Sequence, residues 1–123
     1  MYDIIIKNAK IIDGTGADEF KGAVGITEGR LKLVRGDEEA ARVIDAEGLY
    51  LTPGFIDAHM HFESTMLSPE ALASVVVPCG TTTLLADLME IANVAGEAGL
   101  RETLKSIETL PYRMLIEVSS RVP

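Results

Sequence analysis

The chain has 123 residues and a formal net charge of −8, with 19 acids against 11 Lys and Arg. That balance excludes a nucleic-acid binder, which needs clustered cations to neutralise phosphates. No basic amphipathic stretch suits a membrane surface, and the single cysteine, Cys79, excludes an internal disulfide.

Residues 1–52 read as short strands joined by tight turns. Ile4-Ile-Ile6 and Ala9-Lys-Ile-Ile12 are separated by a break at Lys7-Asn8, and Asp13-Gly-Thr-Gly16 is a turn. Its two glycines are not a dinucleotide fingerprint, because neither a third glycine nor a helix follows. Val24-Gly-Ile26 and Leu31-Lys-Leu-Val34 flank Glu28-Gly29-Arg30, which predicts a hairpin. Arg42-Val-Ile44 and Leu49-Tyr-Leu51 flank Glu47-Gly48, which predicts a second one. Gly36 to Ala41 is read as a solvated loop or a helical turn, its charges without a function. Regular short strands with glycine turns suggest a small β-sandwich portion.

From Pro53 the pattern changes to alternating strands and helices, so residues 53–123 form a second part. A strand is expected over about 54–61. A helix follows with Ser68 as N-cap and Pro69 at its first position, and with Leu72, Val75 and Val76 as its apolar stripe. Pro78 and Gly80 stop it, and Cys79 between them is expected to be a packed thiol. Thr81 to Ala86 is rich in β-formers. A longer helix is expected from about 96 to 110 with Leu100, Leu104, Ile107 and Leu110 on one face, then a strand from Arg113 to Val118. This β-α-β-α-β order implies an α/β fold with parallel strands and right-handed crossovers. The apolar runs are far short of a transmembrane span. The N-terminus lacks a basic region followed by an apolar core and cleavage site, so a cytoplasmic location is expected.

The most informative local feature is the pair His59 and His61, the only histidines in the chain. Side chains two apart on a strand share a face, so both imidazoles are expected to project together. Imidazole is the commonest metal-ligating side chain. Buried histidines satisfied by backbone are the plainer alternative.

The residues around this pair resemble a known family. Pro53-Gly-Phe-Ile-Asp-Ala-His-Met-His61 looks like the first barrel strand of the amidohydrolase superfamily. The segments His61-Phe-Glu-Ser-Thr-Met66, Pro78-Cys-Gly-Thr-Thr-Thr83 and Glu90-Ile-Ala-Asn-Val94 with Gly96 resemble bacterial and archaeal adenine deaminases. So does the opening, Ile4 to Gly16, resemble the usual amidohydrolase start. There are two departures. That family usually reads Asp-Pro-His-Glu where this chain reads Asp87-Leu88-Met89-Glu90, and a thioether cannot exchange protons as imidazole does. The resemblance also implies a TIM-type (β/α)8 barrel, which takes about 250 residues. This chain would therefore hold only its first β-α-β-α-β units, incomplete, and would need further chain or an oligomer to cover open strand edges.

The resemblance implies metal-assisted hydrolysis of adenine to hypoxanthine in purine metabolism, with a purine base as substrate and a divalent, binuclear metal (manganese, iron or zinc). His59 and His61 would be metal ligands at the C-terminal mouth of the barrel. Asp57 would orient a ligand histidine or be a structural carboxylate lower in the strand. Glu63 would ligate metal, bind a purine nitrogen or move protons. Glu90 would touch metal or substrate, with the acidic first turn of a helix as the alternative, and Asp87 would stand behind it. Asn93 would meet substrate or turn the backbone, and Arg121 would meet an anionic or carbonyl group. The lone cysteine excludes the C-x-x-C zinc route to nucleobase deamination. The remaining ligands of the superfamily come from later strands, so this polypeptide alone is expected to bind metal weakly and not to turn over adenine. A hydantoinase or dihydroorotase-like amidohydrolase, and a non-catalytic assembly partner, are the competing readings.

Overall fold

A computed structural model describes residues 1–119, which divide into two compact units, residues 1–53 and 54–119. In the first, strands β1 (Tyr2–Ile11), β2 (Phe20–Thr27), β3 (Arg30–Val34), β4 (Ala40–Asp45) and β5 (Tyr50–Leu51) make one five-stranded sheet. Its order is β3-β2-β1-β4, with β5 also on β1. Among the described residues this unit has no second sheet, so the sandwich expected from the strand spacing has one layer here.

The break expected at Lys7-Asn8 is a β-bulge rather than an end. Asn8 adopts a left-handed conformation (φ 56°), and the register against β2 slips between Ile6 and Ala9 while the strand continues. The Glu28-Gly29 hairpin forms as read: β2 and β3 pair antiparallel, and both turn residues have positive φ (50° and 69°). That matches the right-handed strand twist.

The second expected hairpin does not form. β4 and β5 both run parallel to β1, at Tyr2–Lys7 and at Lys10–Ile11 respectively. The corner between them is held to the bulge instead: the Ala46 and Gly48 amides donate to the Lys7 and Asn8 carbonyls, each at 2.8 Å. The Asn8 side chain also donates to the Asp45 carboxylate at 2.8 and 3.0 Å. A jog in the sheet edge thus replaces a chain reversal. Ala9, Ile11 and Val24 are buried in this unit, against Ala46 and Leu51.

In the second unit, β6 (Phe55–Met60), β7 (Thr81–Asp87) and β8 (Arg113–Glu117) form a parallel sheet in that order. Between them lie a 3-10 turn (Phe62–Thr65) and helices α1 (Pro69–Val76) and α2 (Met89–Ile107). Ser68 caps α1 as expected, its hydroxyl accepting the Ala71 amide at 3.2 Å, a contact worth about 1 kcal/mol. Leu72, Ala73, Leu84, Ala86, Leu88, Met114, Tyr112 and Phe62 bury one face of the sheet under the helices. The α1 stripe is therefore Leu72, Ala73 and Val76. Val75, expected in it, is exposed, because the α/β interface is centred one position earlier. Leu104 is likewise exposed, while Leu100, Ile107 and Leu110 pack as expected.

One further expectation is corrected: Cys79 is exposed, since the Val76–Gly80 turn points it outward. The longer helix expected from about 96 does begin there, because α2 is two helical segments that meet at a break, Gly96 lying at φ 57°, ψ −151°; the shorter segment, from Met89, precedes it. No described helix is long and apolar enough to cross a membrane.

The opposite face of this sheet is bare. Phe55 and Ile56 are 64% and 65% exposed, and Leu115 47%. Both outer strands, β6 and β8, keep a free edge among the described residues.

Candidate active site

Parallel strands deliver their C-terminal ends to one side of a sheet, and the polar residues of this unit gather there. β6 ends at Met60, and a register irregularity between Asp57 and Met60 interrupts its pairing with β7. His59 is the penultimate strand residue and His61 the N-cap of the 3-10 turn (φ −99°, ψ 93°). The strict strand alternation assumed for the pair is thus broken, yet the rings remain neighbours, edge to face with centroids 5.3 Å apart.

Each imidazole meets a carboxylate. His59 Nδ1 lies 2.7 Å from Glu117 Oε2, at the end of β8. His61 Nδ1 lies 3.2 Å from Glu90 Oε2, in the first turn of α2. The latter two atoms are close without hydrogen-bond alignment, so both remain unsatisfied although buried. Glu63, on the 3-10 turn, completes a group: one potential ligand atom from each of His61, Glu63 and Glu90 falls within 4.8 Å of the others.

Glu63 ties the group to α2. Its Oε1 accepts the Glu90 amide at 3.1 Å, serving the open N-terminus of a helix whose N-cap, Leu88, has no capping side chain. Its Oε2 is buried without a partner. Burial pushes the Glu63 carboxyl above its ordinary range, and the neighbouring Glu90 adds to the rise. Contact with the Glu63 carboxyl, then its backbone surroundings and His61, holds Glu90 below the usual range. Ser64 donates to Glu90 Oε1 at 3.3 Å.

The other expected residues divide. Asp57 binds the His59 backbone amide at 3.2 Å, not the ring. Asp87 ends β7 beside Glu117 in register, with Oδ1 buried and without a partner. Asn93 is exposed in the middle of a helical segment, so it neither caps nor turns the backbone. Met89 opens α2 where the deaminase pattern has histidine. Arg121 lies outside the described residues. Glu117 and Ser64 were missed: Glu117 contacts a residue 58 positions away. The signal available for it was its place at the end of the third strand, where the mouth of a barrel would be.

Comparison with known proteins places this geometry. Residues 50–123 match the family model described as "Amidohydrolase family". An adenine deaminase of Desulforamulus reducens is 52% identical over 123 residues, covering 98% of this chain and 21% of its own. The chain thus spans about a fifth of the length of the curated relatives it matches. An N-acyl-D-glutamate deacylase from Bordetella bronchiseptica, solved with zinc and a phosphonate inhibitor, superposes with a TM-score of 0.61 at 31% identity. That superposition covers 69% of this chain and 18% of that one. A D-aminoacylase superposes with a TM-score of 0.75 at 22% identity, covering 97% of this chain and 30% of that one, which speaks to the fold alone. With the family match running through β6, β7 and β8 and every residue of the histidine–carboxylate group, the chain belongs to the amidohydrolase family.

Proposed function

We propose that this chain is the N-terminal part of an adenine deaminase, which converts adenine and water to hypoxanthine and ammonia. The observation that carries the reading is the 52% identity to an enzyme of that name across nearly the whole chain, site included. On this reading the three parallel strands begin a (β/α)8 barrel and residues 1–52 belong to a β-sandwich portion. Further chain or further subunits cover the bare edges and complete the ligand set.

The residues present fit a divalent cation. His61 Nδ1, Glu63 Oε2, Asp87 Oδ1 and Glu90 Oε2 are buried without hydrogen-bond partners, a costly state that a cation relieves. His59 and His61 would hold the metal, as two ions of manganese, iron or zinc, with Asp87 behind them and Asp57 steadying the strand at His59 through its backbone amide. When bound, such an ion makes water acidic enough to supply hydroxide near neutral pH. Glu63 and Glu90 handle protons: the C6–O bond forms, the C6–N bond breaks, and a carboxyl delivers a proton to the leaving amine. Asn93 and Arg121 contribute to purine binding. The setting is cytoplasmic purine metabolism.

The test is the metal-loaded full-length protein assayed for adenine loss by ultraviolet absorbance and for ammonia release, beside hydantoins and dihydroorotate. Turnover of adenine, abolished by chelation, is expected. Activity on a cyclic amide with none on adenine would overturn the reading in favour of a hydantoinase-like enzyme.

A further inference from the structure

The carboxylates at the strand ends are committed in different ways. Glu63 and Glu90 each keep a buried oxygen without a partner, and both belong to the group of potential ligand atoms around His61. Glu117 does not belong to that group. It reaches over β7, where its register partner is Asp87, and places Oε2 2.7 Å from Nδ1 of His59. Asp57, on the same strand as His59, takes that residue's backbone amide and so steadies the strand rather than the ring.

We infer that Glu117 is a positioning residue for His59, holding the ring so that Nε2 is offered to a divalent cation. The inference rests on the metal reading above. A neutral imidazole has one N–H and one lone pair, and an ionised carboxylate can only accept. A contact of 2.7 Å between them therefore places the ring proton on Nδ1 and leaves the lone pair on Nε2. The same hydrogen bond fixes the ring's rotation and raises its basicity toward a metal. The ring needs such a support. It is the more exposed of the two imidazoles, 58% against 29% for His61. It also projects from a strand whose pairing is irregular at that point. His61 stands differently: its Nδ1 has no aligned acceptor, so its orientation depends on what occupies the group it shares with Glu63 and Glu90.

The experiment uses the full-length protein, wild type and with Glu117→Ala or Glu117→Gln. Zinc ion alone is the probe, its affinity measured by competition with a chromophoric chelator. The ring tautomer of His59 is read in the metal-free protein by NMR of 15N-labelled histidine. Wild type is expected to carry the proton on Nδ1. Glu117→Ala is expected to lose that tautomer preference and to bind zinc about 10–100-fold more weakly. The Gln variant, whose carboxamide oxygen still accepts, is expected to keep the tautomer and rescue most of the affinity. A merely structural role would leave the tautomer unchanged. Zinc binding as tight in Glu117→Ala as in wild type, or a wild-type His59 protonated on Nε2, overturns the inference alone. A wild-type protein that binds no zinc overturns the metal reading and this inference with it. Should the Ala variant not fold, the Gln variant decides: loss of the Nδ1 proton there overturns the inference.

Discussion

Replacing Gly54 by alanine is expected to damage the strand that carries His59 and leads into His61, through contact rather than conformation. A Cβ at position 54 would stand 2.1 Å from Thr82 Oγ1, 2.4 Å from Cγ2 and 2.7 Å from Cβ. Rotating the Thr82 side chain relieves the first two contacts but cannot move Cβ. Carbon atoms sit about 3.5–4.0 Å apart at rest, so roughly 1 Å of backbone separation must open between the start of β6 and β7. The 2.8 Å bond from the Phe55 amide to the Gly80 carbonyl lies next to that point and would stretch. Overpacking of this kind costs about 1–3 kcal/mol. Thr82→Gly removes all three opposing atoms at a cost of about 1 kcal/mol from its own strand. In the double variant the clash is gone, so the coupling between the two sites should equal its cost, about 1–3 kcal/mol and favourable, within the range for residues in contact. The assay is urea unfolding of the four full-length proteins, with zinc affinity as a second readout because β6 bears His59 and leads directly into His61. A Gly54→Ala protein with an unchanged midpoint would refute the steric argument. So would additivity of the two substitutions within about 0.5 kcal/mol.

Three other outcomes follow from contacts described above. Glu63→Ala should lose the acceptor for the Glu90 amide and about 1 kcal/mol of stability. Glu63→Gln should keep the stability yet share the loss of zinc affinity, and equal stability losses in both would contradict the capping role. Lys10 and Lys21 face each other directly across β1 and β2. Lys21→Glu should therefore raise the unfolding midpoint by the equivalent of about 0.2–1 kcal/mol, and the gain should shrink in 1 M salt; a lowered midpoint would show that the two ammonium groups do not interact. The Asp45 carboxyl is held below its ordinary value of 3.8 by the Glu47 amide first, then by Asn8 and Lys7. Because the folded value is the lower one, its contribution is fully present above pH 3.8 and disappears as pH falls through the folded value. Asp45→Asn should accordingly flatten the acid limb of the stability profile and leave its slope at neutral pH unchanged. An acid limb identical to wild type would count against it.

What could be read from the residues alone was whatever depends on near neighbours. Ser68-Pro69 and Pro78 to Gly80 punctuate α1 by caps and breakers that act within a turn, and Glu28-Gly29 specifies its hairpin through two positive φ angles. Glu47-Gly48 carries the same local signal (φ 50° and 83°), yet no hairpin forms. The outcome there is decided by β1, which offers the returning chain a parallel edge on both sides of the Asn8 bulge. The same distinction runs through the site. His59, His61, Glu63 and Glu90 were legible because they sit in short recognisable segments. The pairing of His59 with Glu117 joins the ends of two strands with a third between them, and no spacing rule reaches that far. Val75 was misjudged because helical periodicity gives the width of an apolar stripe better than its centre. Gly96 was legible as the start of the long helical segment because glycine acts on its own backbone; the short segment before it, from Met89, was not delimited because it is too brief to show a periodic stripe.

The break at Gly96 gives the two parts of one element separate anchors. Only glycine readily adopts φ 57°, ψ −151°, so the helical geometry is interrupted there by the backbone itself. The turns before it, with Glu90 and Asn93, follow directly from the end of β7 and are seated on the core by Ile91. The turns after it are seated separately, by Leu100 and Ile107. Sequence drift in the longer part is consequently absorbed as a small change of helix direction at residue 96, while Ile91 keeps the turn that bears the carboxylate beside His61. Related enzymes that differ in how this helix seats on the sheet could then keep one arrangement of acids and imidazoles.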